Sequence, residues 1–328
     1  MVKGKNVLVA GGSGLIGRQL VRLLKDEGAH VKVADKKVSL DIASDESIED
    51  IQRDLTTMNN CMEACHDMDY VFNLMCIKGS PKAMKERPAS HLVPMLQFNT
   101  NLMEAARICK VSKYLYTSSV AVYEPKEMFS EDDVWVTFPS PNDRFAGWAK
   151  RMGELQAEAY QIQHKNSDNL YCIVRPGNVY GRYDNFDPLT GMVIPSLISR
   201  IFQGESPLKV WGNGKPIRDF VHASDVAKAM IFVMENNIDK PVNVSSGFPT
   251  EIKKVVEIIT SHFEDAKFIF SDEGVSGDNK RLMDVSRLKS YGWQPEVELE
   301  DGIKDTIDWF KSEGFKGYSR YNSFREEN

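Results

Sequence analysis

Apolar and polar positions change rhythm repeatedly along this chain. Short, nearly continuous apolar runs alternate with longer stretches in which apolar residues recur three and four apart. The runs read as strands buried on both faces, the periodic stretches as helices laid over them. Residues 5–10 (Lys-Asn-Val-Leu-Val-Ala) open the series as a strand. Leu15, Ile16, Leu20, Leu23 and Leu24 mark the apolar face of a helix ending at Gly28, and residues 29–34 give a second strand closed by Asp35. Further strands are expected at 69–76, 113–119 and 170–175, and helices at 57–66, 96–110 and 150–164. Such alternation predicts an α/β fold built on a doubly wound parallel sheet.

From Arg175 onward Pro and Gly become frequent, helices shorten and loops lengthen. The change predicts a first domain over 1–174 and a smaller lobe over 175–328, with about 217–246 returning to the first domain. The polar tail after Phe310 reads as a frayed surface end.

Composition narrows the class. The chain has 328 residues, 42% of them hydrophobic, and 41 basic against 47 acidic side chains, a formal charge of −6. That is a globular composition with length for about two domains. An acidic balance disfavours nucleic acid and anionic membrane as partners. No run approaches the ~20 apolar residues of a membrane helix, and the opening apolar run is too short for a secretory leader. Five scattered cysteines predict reduced thiols and a cytoplasmic protein. Cys61, Cys65 and His66 sit close in sequence, but their segment reads as an amphipathic helix, so no metal is expected.

The strongest chemistry lies at the first turn. Gly11-Gly12-Ser13-Gly14-Leu15-Ile16-Gly17 joins the first strand to the first helix, and Asp35 ends the second strand. Glycines allow backbone N–H groups to approach a pyrophosphate, and the helix N-terminus adds partial positive charge. The Asp35 carboxylate can accept from both adenosine ribose hydroxyls and would repel a 2′-phosphate. The unit predicts a Rossmann dinucleotide site for NAD; Lys36 and Lys37 follow and can reach a phosphate, so NADP stays open.

The glycine motif, the segment from Thr117 to Tyr123, Lys150, and Arg175-Pro176-Gly177-Asn178-Val179-Tyr180-Gly181 together resemble the extended short-chain dehydrogenase/reductases, the family of NAD-dependent nucleotide-sugar epimerases, dehydratases and reductases. Asn178-Val179-Tyr180-Gly181, Asp184-Asn185-Phe186-Asp187-Pro188, Val193-Ile194-Pro195, Val210-Trp211-Gly212, Ile217-Arg218-Asp219-Phe220-Val221-His222 and Leu282-Met283-Asp284-Val285 are most similar to the GDP-L-fucose synthase branch. The resemblance implies cofactor contacts at Gly11, Ser13, Gly14, Leu15, Ile16, Gly17, Asp35, Asp54, Leu55, Leu74 and Lys150. It implies substrate contacts at Ser119, Asn178, Val193, Pro195, Trp211, Arg218 and Arg281. The partner is then a nucleoside-diphosphate sugar, GDP-linked rather than UDP-linked. Helix 150–164, with Leu155, Ala159 and Ile162 at helical spacing, would pair two copies through a four-helix bundle, or bury that face on its own sheet. His222 and Asn99 read as structural. The segments 76–94 and 124–143 are expected to select the sugar.

In this family a Ser, a Tyr and a Lys carry the proton side of hydride transfer. Ser119 and Lys150 match, but Ala146 stands four residues before Lys150, where the tyrosine is expected. Three readings follow: a tyrosine-to-alanine form inactivated at Ala146; an enzyme whose proton travels through water, Ser119 or another side chain; or a non-catalytic nucleotide-sugar-binding protein. Val120-Ala121 after Ser119 lack the acid–base pair of the dehydratases. Ala121 and Met192 stand where the fucose synthases place the Cys and His of 3,5-epimerisation. What survives is oxidoreduction at C4, as 4-epimerase or 4-keto reductase.

Overall fold

A computed structural model describes residues 2–77, 86–164, 169–271 and 279–313. Part of the expected sugar-selecting segment 76–94, and the tail from 314, lie outside those residues.

Seven parallel strands form the main sheet: β1 (Asn6–Ala10), β2 (His30–Asp35), β3 (Ile48–Gln52), β4 (Tyr70–Asn73), β5 (Lys113–Thr117), β7 (Leu170–Pro176) and β11 (Val242–Val244). Their spatial order is β11-β7-β5-β4-β1-β2-β3. The chain lays β2 and β3 on one side of β1 and β4 on the other, so the order of strands along the sheet reverses at β1 while all of them stay parallel. That switch point opens a crevice at the C-terminal strand ends, where ligands of such sheets sit. The period of two explains the double burial. Val7 and Val9 point into one core, with α1 (Leu15–Asp26) and α7 (Ala223–Glu235). Leu8 and Ala10 point into the other, with α3 (Met58–Cys65), α4 (Pro88–Ile108) and α5 (Arg144–Gln163). Each fully buried Val or Leu contributes roughly 1.5–3 kcal/mol.

Several boundaries differ from the sequence pattern, each for a physical reason. Strand β3 carries no apolar run, because as an edge strand it turns Glu49, Asp50 and Gln52 to solvent. Helix α4 begins eight residues before the expected 96 and runs through Pro94, which sits in its second turn and forgoes one intrahelical hydrogen bond there. Helix α5 starts at Arg144, six residues before Lys150. Gly153 on this helix faces the ring of Tyr116, and Gly147 faces the Ala121 carbonyl and Pro139. No side chain fits at either position, so the helix lies close on β5.

The second half builds a smaller sheet from β12 (Pro249–Glu251), β10 (Ile217–His222), β14 (Lys280–Met283) and β6 (Met128–Phe129), with β8 (Asn178–Tyr180) also on β10. A separate pair joins β9 (Leu208–Trp211) to β13 (Phe268–Ser271). The return to the main sheet begins with helix α7 and ends at β11; strand β10, at 217–222, stays in the smaller sheet. Helices α6 (Val193–Phe202), α8 (Ile252–Ser261) and α10 (Leu299–Ser312) enclose an aromatic-rich core with Tyr183, Phe186, Trp309 and Phe310. Among the described residues no helix is long and apolar enough to cross a membrane, and no group of three or more His, Cys, Asp or Glu is placed to hold a metal.

Candidate active site

A cleft of about 2070 Å³ runs from the β1–α1 turn across the C-terminal strand ends to the second-half lobe. At one end Gly11 takes φ +82°, and a Cβ on it would sit 3.2 Å from the Leu74 backbone. A Cβ on Gly17 would lie 2.7 Å from Gly12 Cα and closer still to the Gly11 carbonyl. Only glycines let this turn fold so tightly. Helix α1 starts from Gly14 with no side-chain cap, leaving its first amides to a ligand. Asp35 is held by the amides of Ser13 (3.3 Å) and Lys36 (2.9 Å) and faces the same cleft. These residues fit a dinucleotide whose pyrophosphate rests on the turn and whose ribose meets Asp35.

Lys150 lies at the cleft floor, 2% exposed. Its ammonium donates to the carbonyls of Thr117 (2.7 Å) and Met75 (3.1 Å), beyond the ends of β5 and β4. Ser119 stands two residues past Thr117, and its Oγ accepts from the Ala121 amide at 3.2 Å. Ala146, one turn before Lys150 on α5, lines the same cleft. Below them Glu154, one turn after Lys150, forms a two-pronged ion pair with Arg175 (2.9 and 2.6 Å) and accepts from Ser118. Both charged residues are 1% exposed. This pair ties α5 to the ends of β5 and β7 and so fixes Ser119 relative to Lys150.

Of the residues singled out from sequence, Gly11, Ser13, Gly14, Leu15, Ile16, Gly17, Asp35, Asp54, Leu55, Leu74, Ser119, Ala146, Lys150, Asn178 and Arg281 all line this cleft. Asp54 also organises its own loop, accepting from Thr56 N (3.0 Å) and Oγ1 (2.8 Å). Asn178 donates to the Asp219 carbonyl at 2.9 Å. Val193, Pro195, Trp211 and Arg218 do not line it. Pro195 is packed into α6, and Trp211 is 71% exposed at the end of β9. Arg218 is nevertheless the register partner of Arg281 across β10 and β14. Two arginines side by side repel unless an anion or carboxylate joins them; Asp143 lies 3.7 Å from Arg281. His222 caps α7, its Nδ1 2.7 Å from Ser224 Oγ, and Asn99 accepts from Asn73 at 2.9 Å inside the core.

Arg18 was missed in the sequence, and His91 and Asp143 entered only as members of the segments 76–94 and 124–143, without roles of their own. Arg18 is buried, donates to the Ser13 carbonyl (3.1 Å) and pairs with Asp41 (3.0 Å). Its guanidinium lies 4.2 Å from the centre of the Tyr183 ring, which reaches over from the second-half lobe. Asp143 precedes α5 beside Arg281. His91, in the first turn of α4, is 2% exposed and borders the cleft. Burial, the largest influence, holds its pKa below the ordinary histidine value. A hydrogen bond to the Ile77 backbone opposes that, the Lys150 charge adds to it, and Asp143 opposes it. One signal was present: His91, Met95, Phe98 and Leu102 recur on one helical face, all buried.

A family model described as NAD dependent epimerase/dehydratase matches residues 7–245. The putative GDP-L-fucose synthase 2 of Arabidopsis thaliana is 30% identical over 318 residues, covering 94% of this chain and 92% of that protein. The GDP-L-fucose synthase of Escherichia coli (strain K12) is 27% identical over 323 residues, covering 93% and 96%. Among solved structures, a UDP-N-acetylglucosamine 4-epimerase from Methanobrevibacter ruminantium M1, in complex with UDP-N-acetylmuramic acid, is 27% identical, with TM-score 0.84 over 94% of this chain and 99% of that one. A turn shaped for a pyrophosphate, an acid for the ribose and a buried lysine at the strand ends thus coincide with end-to-end similarity, and the chain is an enzyme of the NAD-dependent epimerase/dehydratase family, of the extended short-chain dehydrogenase/reductase type.

Proposed function

We propose that this enzyme carries out oxidoreduction at C4 of a GDP-linked sugar, as 4-epimerase or 4-keto reductase. The observation that carries the reading is the single cleft joining the glycine turn, Lys150 and Ser119 to Asn178 and Arg281. NAD, when bound, takes hydride from a carbinol carbon or returns it to a ketone; Asp35 favours NAD, and Lys36 keeps NADP open. The chain's own residues do the rest. Gly11, Ser13, Gly14, Leu15, Ile16 and Gly17 hold the pyrophosphate, with Asp54, Leu55 and Leu74 around the adenosine half. Lys150 holds the nicotinamide ribose and places positive charge beside the reacting oxygen. Ser119 orients that oxygen. Asn178 and Arg281 face the diphosphate, with Arg218 beside Arg281 as a reserve of charge. The GDP-sugar names of two relatives support a guanine nucleotide.

Position 146 separates the alternatives. A form inactivated by alanine at 146 turns over only as Ala146→Tyr. A binding protein turns over in neither form. Both forms, with NAD(H) or NADP(H) and a panel of GDP- and UDP-hexoses and their 4-keto derivatives, are followed by nicotinamide absorbance and product NMR. The proposal expects GDP-sugar turnover with change confined to C4; binding without turnover in both forms supports the non-catalytic alternative.

The assembly we propose is a cytoplasmic homodimer through a four-helix bundle of α4 and α5, with a domain division near residue 174. Met152, Leu155, Ala159 and Ile162 share one face of α5 and are exposed, as are Val93 and Ile108 on α4. The buried face of α5 is the other one, with Ala149, Gly153 and Ala157.

A further inference from the structure

We propose that His91 exchanges the proton of the reacting sugar hydroxyl, the role left vacant by alanine at 146. The inference rests on the C4 oxidoreduction reading above. Its ground is position and competition among side chains. His91 borders the same cleft as Ser119, Ala146 and Lys150, close enough to Lys150 and Asp143 to feel both charges. Among the described residues, other groups at this end are engaged. The Lys150 ammonium is bound by two carbonyls, Ser118 donates to Glu154, Asp143 faces Arg281, and the Cys76 thiol points at the Ile77 carbonyl (3.6 Å). Ser119 and Thr117 are hydroxyls, too weakly basic to hold a proton near neutral pH. Imidazole is the side chain whose charge changes in that range.

The histidine is also oriented. Its ring is hydrogen-bonded to the Ile77 backbone. In the neutral ring one nitrogen carries the lone pair that accepts a proton. Burial, with the Lys150 charge, keeps the resting ring neutral and ready as a base.

The step balances. The hydroxyl O–H bond breaks and an N–H bond forms on His91. The electron pair left on oxygen becomes the second C–O bond, while the C–H pair leaves as hydride to the nicotinamide oxidant. The sugar is oxidised to the ketone, NAD is reduced, and His91 carries the proton that the reverse step returns.

The test compares the protein as it stands with His91→Gln, Ala146→Tyr and the double variant. Each is assayed for kcat against pH with NAD(H) and the GDP-sugar panel, and for NAD and GDP-sugar affinity by calorimetry. The proposal expects His91→Gln to lower kcat by about 10²–10⁴-fold, the usual yield of a general acid–base group. Affinities stay within about threefold, and the acidic limb of the pH profile disappears. Adding Ala146→Tyr to His91→Gln restores at least about tenfold of the lost rate, a rescue that a purely structural histidine would not permit. Turnover in His91→Gln within threefold of the parent overturns the role of His91 and leaves the C4 reading intact. Parent protein that binds both ligands but turns over only as Ala146→Tyr also overturns it, since His91 is present in both. Absence of nucleotide-sugar binding in every form removes the underlying reading and the proposal with it.

Discussion

Glu154→Gln is the sharpest test of how the site is held in place. The substitution keeps size and shape and removes one charge. In the parent, Arg175 donates to both Glu154 oxygens, to the Tyr123 hydroxyl (3.0 Å) and to the Glu131 carbonyl (2.9 Å). Ser118 also donates to Glu154. None of Arg175, Glu154 or Tyr123 is more than 1% exposed, and Ser118 is 3% exposed. The variant therefore strands a guanidinium charge in the interior, which costs about 3–5 kcal/mol. At about 2.1 cal/mol/K per residue, the 328-residue chain has an unfolding entropy near 0.7 kcal/mol/K. The expected fall in Tm is thus about 4–7 °C by calorimetry. The double variant Glu154→Leu with Arg175→Met removes both charges and is expected to lose less than the single one, because no buried charge remains. The single variant also loosens Ser118 next to Ser119, so kcat falls with little change in NAD affinity. A Tm change under about 1 °C for Glu154→Gln, or a double variant as damaged as the sum of its singles, refutes the reasoning.

Other consequences follow from the same geometry. Gly17→Ala places a methyl against the backbone of Gly11 and Gly12 and is expected to weaken NAD binding at least about 100-fold by fluorescence titration, since backbone cannot move aside there. Asp35→Asn removes the charge facing a 2′-phosphate, so the NADP-to-NAD affinity ratio rises at least about tenfold. Acid stability has a definite sign: His91 and His222 are buried with pKa values below the ordinary one, so the unfolded chain takes up protons first, and Tm falls as pH drops below about 6.5. Asp219 and Glu131, raised by burial, act in the opposite direction at lower pH. His222→Gln flattens the slope of Tm between pH 7 and 5.5; an unchanged slope contradicts the assignment.

Much of the site was legible because its signals are local. A turn that admits only glycine, an acid at the next strand end and, far along the chain, a lysine on a helix pattern are each readable within a few residues, and the parallel sheet brings them to one edge. What escaped depends on distant partners. His91 fell before the expected helix start at 96, inside the segment 76–94, and drew no role of its own until the fold put Lys150 and Asp143 near it. Arg18 looked like an ordinary helix residue until Tyr183 arrived from the second half. The strands of the smaller sheet are two to six residues long, and β14 pairs with β6 across more than a hundred positions of sequence, so no periodicity announces them. Trp211 and Arg218 came from motif matching, and motif matching does not tell which side of a short strand faces the cleft.

The most direct test of the central claim is a single incubation of the protein and its Ala146→Tyr variant with NAD(H) and the GDP-sugar panel, read by nicotinamide absorbance and by NMR of the sugar. The account predicts saturable GDP-sugar turnover with change at C4 alone, in the variant and, if His91 carries the proton, in the parent as well. Change at another carbon, or failure of both forms to bind any nucleoside-diphosphate sugar in the presence of NAD, contradicts it.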